Sequence, residues 1–204
     1  MRSINANSVI AIAALVTSVA AVWVSWSEAR LLRKSQEASF RPIIETMITT
    51  KTSQDTLSIA LALRNSGHGV AFVEDVSMSV GGQPVTDWES FYGPLFPDDL
   101  RQDVDLNWSS ATGFFQPGES KDILLMHWPA TPDNVARFES FLREDASERM
   151  EALDVTTCYC SVFDQCWKRE IGLTEKPTRT DQCEGQGDPI EALWTSFLRT
   201  EDNT

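Results

Sequence analysis

The stretch that decides the fold is "LSIALAL", residues 57–63. Its side chains alternate with a period of two, which is the spacing of a β-strand with one buried face. We therefore expect a core-facing row and a row of small residues facing outward. The first row is Leu57, Ile59, Leu61 and Leu63, and the second is Ser58, Ala60 and Ala62.

Similar short segments follow along the chain, separated by turn residues. "VSMSV" (residues 76–80) alternates in the same way and ends at Gly81 and Gly82, a pair that accepts the positive φ of a tight hairpin. Five to seven such strands predict a mainly β domain, an antiparallel β-sandwich over residues 42–187. The remaining segments are "IIETMIT" (43–49), "DILLMHW" (122–128) and a hairpin of "MEALDVTTCYCSV" (150–162) with "CWKREIGL" (166–173).

Two α-helices are predicted to pack on the sandwich. "TPDNVARFESFL" (131–142) begins with a Thr131 cap, and its apolar stripe is Val135, Phe138 and Leu142. "DPIEALWTSFL" (188–198) begins with an Asp188 cap and opens a C-terminal helix and tail, residues 188–204. Its apolar positions are Ile190, Leu193, Trp194, Phe197 and Leu198.

The N-terminal part of the chain has a different composition. After a tail of residues 1–8, residues 9–27 are almost continuously apolar and uncharged. This length is sufficient for a transmembrane helix, with Trp23 and Trp26 at the far interface. Residues 28–41 are rich in helix formers and precede Pro42, so we expect a juxtamembrane helical stalk. The segment predicts a single-pass protein of the cell (inner) membrane that contacts the lipid bilayer through residues 9–27.

Two questions about this segment stay open. A cleaved signal peptide ending at Ala20 is the alternative, although the apolar run continues beyond that residue and favours an anchor. Orientation follows from flanking bases: Arg2 precedes the segment, whereas several follow it, which favours a cytoplasmic soluble domain. A periplasmic or extracellular domain remains the alternative. The following bases are Arg30, Arg33, Lys34 and Arg41.

Charge limits the choice of partners. The chain has 30 acidic and 17 basic residues, a net charge of −13. A surface this negative repels phosphate backbones, so we expect no nucleic-acid binding. The one basic concentration lies beside the apolar segment, where it suits lipid head groups. The expected partners are therefore the bilayer and a protein that the sequence does not identify.

Two stretches resemble a known family. "LRNSGHGVAFVEDVSMSVGG" (63–82) and "FQPGES" (115–120) are similar to bacterial immunoglobulin-like surface modules of the CARDB type, in which an N-x-G turn follows one core strand and a PGE turn precedes another. The resemblance implies the sandwich fold within bacterial single-pass membrane proteins and implies no activity. The segment "WESFYGPLFPDDL" (88–100), the helix at Pro132 and the cysteine hairpin are outside that pattern.

Four cysteines form the most distinctive candidate site: Cys158, Cys160, Cys166 and Cys183. Cys158 and Cys160 share a strand face about 6.6 Å apart, which disfavours a bond between them. A three-residue turn would place Cys166 on that same face, and a two-residue turn would place it on the opposite face. Reduced core thiols are the default for a cytoplasmic domain, disulfides for an exported one. A metal site or a reactive thiol remains open, although the spacing matches no common zinc motif.

No other motif carries chemistry. We find no nucleophile elbow, phosphate loop or zinc-protease motif, and only two histidines, His68 and His127. The glycines around His68 indicate a turn. We expect no catalytic residue, no metal and no cofactor. A contact loop of Trp88, Phe91, Tyr92 and Phe96 is the best candidate for a partner surface, and packing of these rings under the sandwich is the alternative.

The sequence thus predicts a membrane-anchored, non-enzymatic protein-interaction module. Two alternatives remain. One is a thiol- or metal-responsive domain that uses the cysteine hairpin. The other is a hydrolase that depends on carboxylates alone, whose two acids need not be close in sequence. A pocket that gathers acids beside His127 would favour the hydrolase.

Overall fold

A computed structural model describes residues 6–144, 146–170, 176–185, 187–191, 193 and 195. The chain divides into two compact units, Met1–Phe40 and Arg41–Thr204. The described residues of the first form a helix, and the second is a domain with its own core.

The described part of the N-terminal unit contains α1, Ala6–Ser39. Its part Val9–Ser39 contains an 18-residue window that is apolar enough to cross a membrane, with a mean hydropathy of 2.2 and no buried residue, properties that membrane spans and signal sequences share. The hydroxyls of Thr17 and Ser18 donate to helix carbonyls of the preceding turn, at 3.0 and 2.7 Å. These bonds satisfy polar groups that would otherwise be costly in lipid. The predicted stalk continues this helix through Ser39.

The domain contains two antiparallel sheets. The four-stranded sheet has the order β1-β2-β7-β5, and the second has the order β10-β9-β8-β3-β4, with β6 also paired to β3. The strands of the first sheet are β1 Ile44–Thr52, β2 Thr56–Asn65, β5 Asp105–Trp108 and β7 Ser120–Pro129. Those of the second are β3 Ala71–Val80, β4 Gln83–Pro84, β6 Gly113–Phe115, β8 Leu153–Ser161, β9 Cys166–Arg169 and β10 Thr178–Thr180.

The strand predictions are confirmed in their main features. All four core-facing residues of the opening stretch are at most 3% exposed. Ala60 and Ala62, which we expected on the outward face, are buried as well, because β2 is an inner strand between β1 and β7 and its one-carbon side chains are covered by longer neighbours. Gly81 and Gly82 have φ of 58° and 76°, as the predicted hairpin turn requires.

Short helices lie between the strands: α2 Trp88–Leu95, a 3-10 helix Asp98–Leu100, α3 Pro132–Glu144 and α4 Ala146–Glu151. In α3, the backbone N–H of Asn134 donates to Thr131 Oγ1 at 3.2 Å, so the predicted cap is confirmed. The predicted stripe is wrong at Leu142, which is 39% exposed, because Phe141 instead turns inward with Phe138. Of the C-terminal helix, Ile190 and Leu193 are buried, whereas Trp194, Phe197 and Leu198 lie outside the described residues.

Most of the predicted contact loop forms the helix α2, Trp88–Leu95. Asp87 and Ser90 make a reciprocal cap, and the Ser90 backbone N–H lowers the pKa of Asp87. Phe91, Tyr92 and Phe96 are at most 2% exposed and Trp88 is half-buried. The structure thus corrects the prediction of an exposed contact loop, since the amphipathic helix turns Phe91 and Tyr92 into the core and Phe96 is buried at its C-cap.

One ring of α2 and one ring of β7 share a hydrogen-bond acceptor. Tyr92 Oη and Trp128 Nε1 both donate to the carbonyl oxygen of Leu100, each at 2.8 Å. Burial raises the pKa of the Tyr92 phenol, so it remains a donor at neutral pH. This acceptor joins α2 and β7 to the 3-10 helix.

One buried side chain, at the end of β2, joins three other segments of the domain. Asn65 is fully buried, and its Nδ2 donates to the carbonyls of Gly69 (2.7 Å) and Phe115 (3.0 Å). Its Oδ1 accepts from the backbone N–H groups of Gly67 (3.0 Å) and Ile43 (3.3 Å). An amide offers two donors and two acceptor sites, and all are used.

Gly67 is required by the same arrangement. A Cβ at this position would lie 2.5 Å from the carbonyl oxygen of Arg41 and 2.5 Å from the backbone N of Ile43. Both are backbone atoms that cannot turn aside. The N-x-G turn is therefore the point where the start of the domain is packed against the loop between β2 and β3.

We predict that Asn65→Ala lowers the free energy of unfolding by about 3–5 kcal/mol, because it leaves several buried backbone groups without partners. The measurement is urea unfolding of the full chain in detergent micelles, followed by tryptophan fluorescence. Asn107→Ala, at an exposed position on β5, is the control and should change stability by less than about 0.5 kcal/mol. Equal losses in the two variants would contradict the role given to Asn65.

Candidate functional site

The face of the larger sheet that is turned away from the core carries the cysteines. Strand pairing aligns Phe114, Phe72, Cys160 and Cys166 across β6, β3, β8 and β9. The next row places Asp75, Cys158 and Lys168 side by side. The intervening residue Tyr159 points the other way and is fully buried in the core. All three hairpin cysteines therefore share one face.

All four cysteines form disulfides. Cys158 is bonded to Cys183, with 5.6 Å between Cα atoms, and Cys160 is bonded to Cys166, with 4.0 Å between Cα atoms. Cys158 and Cys160 do not bond to each other, as their parallel side chains predicted. The prediction of reduced core thiols is therefore wrong, since the four cysteines form two disulfides. The hairpin brings Cys166 opposite Cys160, and a later segment of the chain brings Cys183 over Cys158.

The hairpin turn explains the position of Cys166. Ser161 N donates to Gln165 O at 2.8 Å, which closes a three-residue turn of Val162, Phe163 and Asp164. Asp164 has a φ of 55°, the left-handed residue that such turns need. Because the turn has three residues, Cys166 pairs across the strands with Cys160 and not with Val162. The side chains of Cys160 and Cys166 therefore lie on the same face of the sheet.

The segment that follows β10 crosses this face and will be called the strap: residues 181–185, Gly187 and Asp188. Cys183 binds it to β8, and the Gly187 carbonyl accepts from Val76 N on β3 at 3.4 Å. At its end, Asp188 Oδ2 accepts from Ser110 Oγ (2.7 Å) and Ala111 N (2.8 Å). Three separate attachments thus hold a segment that contributes few apolar side chains.

A groove of about 750 Å³ lies between the strap and the sheet. Hydroxyl-bearing residues of β3, β8 and β10 form much of its floor, and the strap forms one wall. Its lining residues are Asp75, Ser77, Met78, Ser79, Pro84, Asp154, Thr156, Cys158, Lys168, Thr180, Asp181, Gln182 and Glu184.

The groove is negative. Among the described lining residues, Asp75, Asp154, Asp181 and Glu184 bring four carboxylates, against the single ammonium group of Lys168. Lys168 Nζ also contacts Glu170 Oε1 at 3.3 Å, outside the groove. Asp75 is 9% exposed, whereas the other three acids are exposed to solvent. The arrangement suits a positively charged group and repels an anion.

The sulfur atoms do not form a metal site in this state. Among the described residues, one group of metal-type ligands converges: the Sγ atoms of Cys160, Cys166 and Cys183 lie within 4.8 Å of one another. Metal binding needs thiolates, and each of these sulfurs is engaged in a disulfide.

The histidines lie elsewhere. His127 is on β7 of the four-stranded sheet, paired with Ser58 and Asp105, and His68 is exposed in the turn after β2. The groove thus gathers acids without the histidine that would have favoured a hydrolase.

Sequence reasoning missed most of the groove. Ser77, Ser79, Asp154 and Thr156 alternate with core residues of β3 and β8, so their outward orientation was visible in the pattern. The sequence pattern did not show that these residues lie next to the strap, because the path of the strap depends on the pairing of Cys158 with Cys183.

A family model described as "Domain of unknown function (DUF8453)" matches residues 9–171. This match covers most of the chain, from the apolar helix through β9, so the chain belongs to this family. No curated protein matches the chain.

Two glycines with equally close neighbours test the position of the strap. A Cβ at Gly185 would lie 2.8 Å from Asp75 Cβ, an atom fixed to the sheet, whereas a Cβ at Gly93 would lie 2.8 Å from Oε1 of the exposed Glu89. We predict that Gly185→Ala costs about 1–3 kcal/mol of stability and that Gly93→Ala changes it by less than about 1 kcal/mol. Urea unfolding of both variants in detergent micelles measures the difference, and a neutral Gly185→Ala would argue against close packing there.

Proposed function

We propose that this DUF8453 family member is a membrane-anchored, non-enzymatic interaction module whose groove binds a positively charged segment of a partner protein. The observation that carries the proposal is the excess of carboxylates in a groove of about 750 Å³. This volume lies within the range of about 300–1,000 Å³ that ligand sites commonly have.

Rigidity of the site supports binding. The floor consists of paired strands, and the wall is held by a disulfide, so little chain entropy would be lost when a partner enters. The hydroxyls of Ser77, Ser79 and Thr156 add donors and acceptors between the acids. A peptide with basic side chains would find charge and hydrogen-bond partners at the same surface.

The net charge of the whole chain supports the same class of partner. At −13, the chain attracts cationic surfaces over distances that exceed direct contact, which raises association rates more than final affinity. Attachment to a membrane would keep the module at a high local concentration near partners in the same bilayer. We further propose that the two sheets form an immunoglobulin-like sandwich of the CARDB-type architecture.

We place the domain on the oxidising side of the membrane. Two disulfides form and persist in secreted or periplasmic compartments and are rare in the cytosol. The flanking bases favour the opposite orientation, but their effect is statistical and depends on short flanking segments. As indicators of orientation, we give the two disulfides more weight than the flanking basic residues. We therefore propose a location outside the cytoplasm, although the flanking bases favour the cytoplasm.

Peptide titration tests the groove. We expect a short oligolysine peptide to bind the full chain in detergent micelles at low salt and an oligoglutamate peptide not to bind. Asp154→Asn combined with Asp181→Asn should weaken oligolysine binding about tenfold, and added salt should weaken it further. The method is fluorescence anisotropy of labelled peptide.

The control removes the same charge elsewhere. Asp99→Asn combined with Asp133→Asn lies outside the groove and should change affinity by less than about twofold, because exposed, distant charges are screened. Equal weakening in both double variants would mean that net charge, rather than the groove, attracts the peptide, and the proposed site would be rejected.

Orientation has its own test. In a bacterial host, a C-terminal alkaline phosphatase fusion, which needs disulfides to be active, should be active. A fusion to a reporter that works only in the cytoplasm should be inactive. Replacing Arg30, Arg33 and Lys34 by Gln should raise phosphatase activity further, since these bases oppose export of the domain. An active cytoplasmic reporter would remove the oxidising-side assignment.

A further inference from the structure

The two disulfides lie in contact with each other. Cys160 Sγ and Cys183 Sγ belong to different disulfides, yet they are only 3.9 Å apart. Cys158 lies outside the set of sulfurs that are within 4.8 Å of one another. A single sulfur, that of Cys183, therefore belongs to the strap disulfide and touches the hairpin disulfide.

The four cysteine residues differ in exposure to solvent, and this difference indicates which disulfide an external thiol reaches first. Cys158, Cys160 and Cys166 are 5–6% exposed, whereas Cys183 is partly exposed on the strap. An external thiol reaches a disulfide through its accessible sulfur, so attack begins at Cys183 and not at the hairpin.

We propose that Cys183 is a relay sulfur that passes reduction from an external dithiol to the buried Cys160–Cys166 disulfide. In the first step, the dithiol reduces Cys158–Cys183 and leaves as a cyclic disulfide, so two electrons and two protons enter the protein as the thiols of Cys158 and Cys183. In the second step, the Cys183 thiolate attacks Cys160 Sγ. A Cys160–Cys183 bond forms, the Cys160–Cys166 bond breaks, and Cys166 leaves as a thiolate that takes up a proton.

The exchange would move the strap. Its attachment passes from Cys158 to Cys160, two residues along β8, and Cys183 Sγ, which lies 3.9 Å from Cys160 Sγ, must move about 2 Å to form the new bond. Cys158 lines the groove, whereas Cys160 does not. Reduction by two electrons would therefore shift the wall of the groove while the strap stays covalently attached, an outcome that simple opening of one disulfide does not give.

Two variants distinguish thiol exchange through Cys183 from a general loosening of the domain that follows loss of the strap disulfide. Cys158→Ser and Cys183→Ser both lack the strap disulfide and both keep one free thiol, but only Cys158→Ser keeps the relay sulfur. With dithiothreitol added to the full chain in detergent micelles, we expect the Cys166 thiol to appear at least about tenfold faster in Cys158→Ser, because access governs exchange. Maleimide trapping and mass spectrometry of the peptides measure the rate.

The product is a second readout and needs no substitution. Wild-type chain treated with limiting dithiothreitol should yield a Cys160–Cys183 cross-linked peptide with Cys158 and Cys166 alkylated. Equal rates in the two variants, or a wild-type product with Cys158 and Cys183 alkylated and Cys160–Cys166 intact, would overturn the relay. Because the wild-type measurement uses the unaltered chain, misfolding of a variant would not protect the proposal.

Discussion

The domain depends on the fully bonded side chain of Asn65. It lies at the end of β2, and its amide joins the entry of the chain into β1, the loop towards β3 and the strand β6. The Asn65 backbone adds bonds to Glu119 and Gly118, so the turn before β7 is attached at the same point. A buried amide with all four bonds made has one low-energy arrangement, and this specifies how the two sheets meet. Apolar burial alone would allow slippage.

The hydrogen bonds of Asn65 also explain why the N-x-G turn and the PGE turn, two short motifs, are useful in predicting the fold. The N-x-G turn supplies Asn65 and the glycine that clears the backbone of Arg41 and Ile43. The PGE turn supplies Gly118, which has a φ of 80° and donates to the Asn65 carbonyl. The motifs are far apart in sequence and form one structural unit. Turn chemistry and strand alternation could therefore predict the main strands and the mainly β class.

What the sequence did not predict has identifiable physical causes. The segment 88–100 contains Gly93, Pro94 and Pro97, which indicate a loop, yet the Asp87 cap and the burial of Phe91 and Tyr92 make residues 88–95 helical. Tertiary burial outweighed local propensity there. The cysteine pairing depended on a turn length that composition leaves open, and on a strap whose path is set by contacts with β3 and β8. The groove forms only when the cysteines are paired and the strap lies over the sheet. The sequence shows each of its acidic residues but does not show that they lie together.

The strap has a composition that would not fold onto the sheet by hydrophobic burial. Asp181, Gln182, Glu184 and Gly185 offer almost no apolar area, and its like charges oppose close approach to Asp75. Its position therefore depends on polar contacts at Asp188 and on the bond to Cys158, which also removes loop entropy across 25 residues. A negative wall held mainly by a cross-link makes the groove sensitive to the thiol chemistry around it. Under the proposed relay, the redox state of the compartment decides both whether the groove has its wall and which sulfur holds it.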